Sequence, residues 1–318
     1  MLIDNLLDIS RDVMIRHIME LKKAKNAVLL AHYYQNYEVQ NIADFVGDSL
    51  ELSRKANQNS AEIIVFAGVH FMAETAKILN PSKKVLLPDI EAGCSLADSC
   101  KSQDLLTLKK LYPDYLVMAY INCSAEIKAI SDIICTSSNA LKILKSIPKE
   151  QGVIFVPDKN LGRYLKSQTN KKNMILWEGT CIVHQDFSIE KINILKKKHP
   201  DAKIIAHPES EEHVLTIADF IGSTSALLTF VITDTAKKFI VATEAGILHR
   251  MRNHAPEKIF IPAPIQVDNT CACSECTYMK KNTLEKLYIC LRDENPEIII
   301  EESLRKEALL PLQKMLNF

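Results

Sequence analysis

The apolar positions of this chain fall into short runs that stop abruptly at polar residues, and the runs recur. VLLAHYY at 28–34, YLVMAYIN at 115–122 and KIIAHPE at 203–209 each read as a buried strand with a polar end. Behind each lies one motif, IADFVGDS at 42–49, ISDIICTS at 130–137 and IADFIGST at 217–224. The motifs are offset by 88 and 87 residues, and His32 to Ser49, Tyr120 to Ser137 and His207 to Thr224 are each 17 apart. Register held through three copies marks a repeated folding unit.

Within each copy the pattern predicts a short helix over the motif, with Ser49, Ser137 or Thr224 opening another helix as its cap. A second strand follows at IIVFAGV, GVIFVP and KFIVAT, then a helix, then a third strand at KVLLPD, NMILW and KIFIPA. Strands and helices in alternation predict an α/β fold of three three-layer αβα units, related by a pseudo-threefold axis around a central active site. The expected bounds are 1–105 with the N-terminal helix, 106–190, and 191–318 with the C-terminal helices.

The polar strand ends differ among the copies. His32 and Tyr34, Tyr120 and Asn122, and His207 and Glu209 stand at i, i+2, which puts both side chains of each pair on one face of an extended strand. Solvated strand ends would account for polar residues there, but ligands of open α/β sheets bind beyond the carboxyl ends of the strands, and the functional reading carries more weight. Ser49, Ser137 and Thr224 add candidate anion sites, because a helix start offers free amides and the positive end of the helix dipole.

Composition narrows the partners. The chain has 318 residues, 47% of them hydrophobic, and its 39 Lys and Arg balance 39 Asp and Glu. Such a balance sets up no field for nucleic acid or an anionic membrane, so a small molecule is the expected partner. Only 8 glycines occur, with no GxGxxG or Walker loop, which argues against a dinucleotide or nucleoside triphosphate site. Asp4 and Asp8 break any signal-peptide pattern, and no run approaches the roughly 18 apolar residues of a membrane span. Nine cysteines point to a reducing, cytoplasmic location.

Beyond each third strand stands a cysteine: Cys94 in EAGCSLAD, Cys181 in EGTCIVHQ and Cys276 in CACSEC. Equivalent thiols from equivalent loops suit a metal centre with three protein ligands and one open position. Structural zinc prefers four ligands and catalytic zinc usually takes histidine. Three thiolates favour a [4Fe-4S] cluster whose open iron acts as a Lewis acid, with zinc as the alternative. Cys100, Cys123, Cys135 and Cys290 read as small buried hydrophobes, whereas Cys271 and Cys273 stand close enough to Cys276 for a regulatory disulfide or a substitute ligand.

AHYYQNYEVQNIADFVGDSLELSRKA, YINCSAEIKAISDIICTSSNA, AHPE followed by ADFIGSTSA, and CSECTYMKKNTLEKL together resemble the quinolinate synthase family, over essentially the whole chain. The resemblance implies that Cys94, Cys181 and Cys276 hold a [4Fe-4S] cluster. It implies condensation of iminoaspartate with dihydroxyacetone phosphate to quinolinate, a step of NAD biosynthesis that releases phosphate and water, and a functional link to L-aspartate oxidase. It implies a site lined by His32, Tyr34, Ser49, Tyr120, Asn122, Ser137, His184, His207, Glu209 and Thr224. Of these, Tyr34, Tyr120, His207 and Glu209 are the expected acids and bases, with Glu209 first for proton abstraction. CACSEC departs from members with a single cysteine there, and Cys276 is taken as the ligand because it directly precedes TYMKKNTLEKL. Rival readings are a hydro-lyase of another substrate, an iron–sulfur sensor and an electron carrier. A sensor needs a DNA-binding element or basic face that the chain does not display, and a carrier normally has a fourth cysteine.

Overall fold

The structure, a computed structural model, describes residues 10–266 and 274–318. The apolar runs become strands because near-continuous aliphatic side chains must be covered on both faces, and flanking helices provide that cover. Among the described residues, twelve strands form three parallel sheets of four. The first holds β1 (Ala27–His32), β2 (Phe45–Gly47), β3 (Ile63–Ala67) and β4 (Lys84–Leu86). The second holds β5 (Leu116–Tyr120), β6 (Ile133–Cys135), β7 (Val153–Val156) and β8 (Met174–Leu176). The third holds β9 (Lys203–Ala206), β10 (Phe220–Ile221), β11 (Lys238–Ala242) and β12 (Ile259–Pro262). All share one order, β2-β1-β3-β4, β6-β5-β7-β8 and β10-β9-β11-β12. The chain's direction across each sheet reverses at the first strand of the repeat, and beyond the carboxyl ends of such strands lies the usual ligand crevice.

The pattern predicted three strands per unit, and each sheet has four. The additional strands β2, β6 and β10 lie inside the repeated motif, directly after the short helices Tyr37–Ile42, Ala125–Ile130 and Glu212–Thr216. At two or three residues on a sheet edge, they are too short to show alternation. What recurs in the motif is a clamp. The carboxylates of Asp44, Asp132 and Asp219 accept the amides of Leu29, Val117 and Ile204 at 2.7, 2.8 and 2.7 Å. Their own amides donate back to the carbonyls of the same three residues at 2.9, 2.9 and 2.7 Å. Each edge strand is thereby fastened near the start of its sheet's central strand.

The helix caps fall one place away from expectation. Asp48, not Ser49, caps the helix Ser49–Gln58, in a capping box with Glu51, and Ser223, not Thr224, caps Thr224–Thr233. Asn139 precedes the helix Ala140–Ser146, so Ser137 lies upstream of its start. Acceptors at the cap leave Ser49 and Thr224 as first helical residues.

The chain forms two compact units. One comprises the chain up to Gly93 together with Thr277–Glu301, and the other comprises Cys94–Cys276 and Glu302–Phe318. In the first, the helices Arg11–Ala24 and Leu284–Asp293 cover the first sheet, with Met14, Ile18, Leu29, Val65, Leu287 and Leu291 in one buried cluster. In the second, Phe187, Ile192, Ile204, Ala206 and Ile240 form the core of the third sheet. Chain continuity placed both C-terminal helices with the third repeat, but each packs elsewhere. Leu284–Asp293 lies on Arg11–Ala24, and the helix Glu302–Leu316 lies on Ala125–Ile130 and β6. Its buried Ala308, Leu312 and Met315 make the apolar stripe that covers that edge. Among the described residues, no helix is long and apolar enough to cross a membrane.

Candidate active site

The second and third sheets deliver their polar strand ends to one buried network. Tyr120, the last residue of β5, donates its hydroxyl to Glu209 Oε1 at 2.5 Å. Glu209 Oε2 meets Nδ1 of His184 at 3.0 Å. His207 Nδ1 accepts the Glu209 amide at 3.3 Å, and its Nε2 meets Ser137 Oγ at 3.1 Å. The His184 and His207 rings lie 4.9 Å apart, and Glu209 is only 3% exposed. Burial opposes ionisation of Glu209. The charges of His184 and His207 when protonated, with hydrogen bonds from His184 and Tyr120, outweigh burial and hold the carboxyl at about 2. Asn122 Oδ1 is buried without a hydrogen-bond partner among the described residues, an acceptor available to a ligand. Thr224 is buried at its helix start.

The first unit contains the same turn. The Tyr34 amide donates to His32 Nδ1 at 3.2 Å, and the two rings meet edge to face at 4.4 Å. Tyr34 lies past the end of β1, so a turn, and not the extended strand that the i, i+2 spacing assumed, brings the two side chains together. Lys280 Nζ donates to the Tyr34 carbonyl at 2.7 Å, and Ser49 opens its helix nearby in sequence.

The three cysteine loops belong to the second unit. Cys94 directly precedes the helix Ser95–Ser99 and Cys181 the helix Ile182–Gln185. Ser95 Oγ donates to the Thr180 carbonyl and accepts the Ile182 amide, both at 3.3 Å, which fastens one loop to both sides of Cys181. The Cys276 amide donates to Glu244 Oε1 at 3.1 Å. Burial pushes the Cys94 thiol up to about 12, against the Ala97 and Leu96 amides and reinforced by Glu209 and Cys276. Burial, then Glu209 and Cys94, push Cys181 well above the usual thiol range. Thiols grouped in this way release their protons to a cation that shares the space, so the donor set fits a thiolate-held iron–sulfur cluster. Cys181, His184 and Glu209 also place ligand atoms within 4.8 Å of one another, a mixed sulfur, nitrogen and oxygen set that zinc accepts. Cys100, Cys123, Cys135 and Cys290 are buried. Cys271 and Cys273 lie outside the described residues.

Four supporting residues were not read from the sequence. Asn160 Nδ2 donates to the Glu209 carbonyl at 3.1 Å, and Thr243 Oγ1 meets His184 Nε2 at 3.0 Å. Asp158 and Glu244 are fully buried carboxyls. All four follow β7 and β11, the third strands of their sheets in chain order. The available signal was the polar PDKN and TEAG after GVIFV and KFIVA, at corresponding places in two repeats.

Residues 16–317 match the family model described as quinolinate synthetase A protein, NadA. The chain is similar to the quinolinate synthase of Microcystis aeruginosa, 63% identical over 300 residues that cover 94% of this chain and 93% of the relative. The quinolinate synthase of Thermosynechococcus vestitus is 59% identical over the same shares. That of Chloroherpeton thalassium is 56% identical over 311 residues, 98% of this chain and 96% of the relative.

Proposed function

We infer the reaction from one premise, that this chain belongs to the quinolinate synthase family. On that premise it makes quinolinate, by a transferase-type condensation of iminoaspartate with dihydroxyacetone phosphate that releases phosphate and water. The observation that carries the reading is the meeting, within one unit, of three cysteine loops and the buried Glu209 network. Cys94, Cys181 and Cys276 would hold a [4Fe-4S] cluster, which when bound supplies an open iron as Lewis acid toward a carboxylate or hydroxyl. Glu209, ionised at neutral pH, takes the proton from the aspartate-derived carbon. Tyr120, against the same carboxylate, and His207, against Ser137, move the protons that dehydration requires, and Tyr34 serves with them. Ser137, Thr224 and Ser49 receive phosphate or carboxylate groups, Asn122 accepts a donor group of the substrate, and His32 and His184 orient it. An oxidase that generates the imine, L-aspartate oxidase, is the functional link this substrate calls for.

The test is anaerobic. Purified protein supplied with iminoaspartate and dihydroxyacetone phosphate should form quinolinate and carry about four iron and four sulfide. Cys94→Ala, Cys181→Ala and Cys276→Ala should each lose both properties, while Cys100→Ala, Cys123→Ala and Cys290→Ala keep them. The Cys181, His184 and Glu209 grouping favours a second reading, a zinc centre. Stoichiometric zinc without iron in anaerobic protein would put that reading in place of the cluster.

A further inference from the structure

The three cysteine loops are anchored by different elements. Cys94 and Cys181 stand at helix starts, with amides directed at their sulfurs and the Ser95 hydroxyl tying one loop to the other. Cys276 precedes a 3-10 turn at Met279–Lys281, and its amide is anchored by the segment that follows β11. Directly after that strand, Glu244 is 0% exposed. Its Oε1 accepts the Cys276 amide at 3.1 Å, and its Oε2 accepts the Gly246 amide at 2.6 Å. The neighbouring backbone joins in: Ser274 Oγ donates to the Thr243 carbonyl and the Ala245 amide to the Ser274 carbonyl, both at 3.0 Å. Thr243 also engages the far nitrogen of His184, so one dipeptide reaches both the third cysteine and the histidine beside the second.

A carboxylate buried to this degree is costly unless its oxygens are occupied, and here backbone amides occupy both. That arrangement has a direction. The side chain is fixed just past the end of a central strand, and what it fixes is the backbone of the third cysteine. We propose that Glu244 is the positioning residue for Cys276, setting how firmly an iron–sulfur cluster is retained and at what potential it is reduced. The proposal rests on the cluster reading given above. Partners that orient metal ligands without touching the metal typically change affinity 10- to 100-fold when removed, and the potential of a cluster follows the net charge around it.

Glu244→Gln keeps the shape of the side chain but removes its charge and sets an amide N–H group against one of the two backbone donors. The anaerobically reconstituted variant should assemble its cluster, then lose iron to a chelator about tenfold faster than the parent. With one negative charge gone, its electron paramagnetic resonance-monitored potential should move in the positive direction, a change that a merely structural role would not produce. Ser274→Ala provides a second test should Glu244→Gln fail to fold: it loosens the same loop with the charge left in place, so iron loss quickens and the potential stays. Wild-type retention and wild-type potential in both variants would overturn the proposal. Faster iron loss from Glu244→Gln at an unchanged potential would reject its electrostatic half. Parent protein that contains no iron would refute the cluster reading instead, so the two failures are distinguishable.

Discussion

Glu209 is held from several directions: by Tyr120 and His184 at its oxygens, by His207 at its amide and by Asn160 at its carbonyl. A residue so constrained has one geometry to offer a substrate. Glu209→Gln, nearly isosteric but unable to take a proton, should still bind substrate while kcat falls by roughly 10² or more. Ser137→Ala should instead raise KM for the triose phosphate, and steady-state kinetics on the two variants separates chemistry from capture. Asp158 behaves differently. One of its oxygens caps the helix Lys159–Thr169 through the Leu161 amide at 2.7 Å, and the other has no hydrogen-bond partner among the described residues. Burial first, and the charge of Glu209 second, raise its carboxyl well above the usual range. A raised acid contributes stability that is full below its unfolded pKa of about 3.9 and is lost as pH climbs toward the folded value. Asp158→Asn mimics the neutral acid, so its melting temperature should equal the parent's near pH 4 and exceed it increasingly toward neutral pH. Melting curves that stay parallel across that range would show the acid to be ionised. The paired polar residues were legible because they follow apolar runs at corresponding places in three repeats, although Tyr34, Asn122, His207 and Glu209 lie in the turns beyond the strands. Asn160 and Thr243 were not, because a hydrogen bond to a backbone carbonyl or a ring nitrogen far along the chain has no sequence spacing.

Among the elements, the most regular device is the aspartate clamp on the three edge strands. The motif announced itself by Ile-x-Asp, yet the Asp is there to occupy an amide near the start of a central strand. Asp132→Ala should leave the Val117 amide without its acceptor and cost about 1–2 kcal/mol in denaturant unfolding, with Asp219→Ala costing a similar amount at Ile204. Unequal costs would show the clamps to be unlike in context despite like geometry. Gly179 tests the Cys181 loop. A Cβ there would stand 2.5 Å from the Pro157 carbonyl oxygen, which the backbone cannot concede cheaply. Gly179→Ala should destabilise by roughly 1–3 kcal/mol and weaken iron retention through the displaced Cys181. The central strands were legible as unbroken apolar runs, whereas the two- and three-residue edge strands have too few positions to declare a period. Two contacts, Ser138 with Ser225 and Ser95 with Ile182, join positions 87 apart in the chain.

At the scale of the molecule, chain order and packing diverge. The helix Leu284–Asp293 returns to the first unit and Glu302–Leu316 joins the second, a distribution that adjacency in sequence could not reveal because it depends on which apolar faces remain uncovered. The return has a further consequence. The long segment that leaves the first unit does so immediately after Gly93 and rejoins it at Thr277, so it begins at Cys94 and ends at Cys276. If Cys94 and Cys276 are ligands of one metal group, they would therefore close the whole segment into a loop, like a drawstring drawn at both ends of the same cloth. Closing a loop of that length costs an unfolded chain on the order of 5 kcal/mol, which ligation would remove from the folding balance. Stripping the iron should then release the ends of this loop, with limited proteolysis cutting first near Gly93 and Thr277 in the iron-free protein while the iron-loaded protein resists at both points.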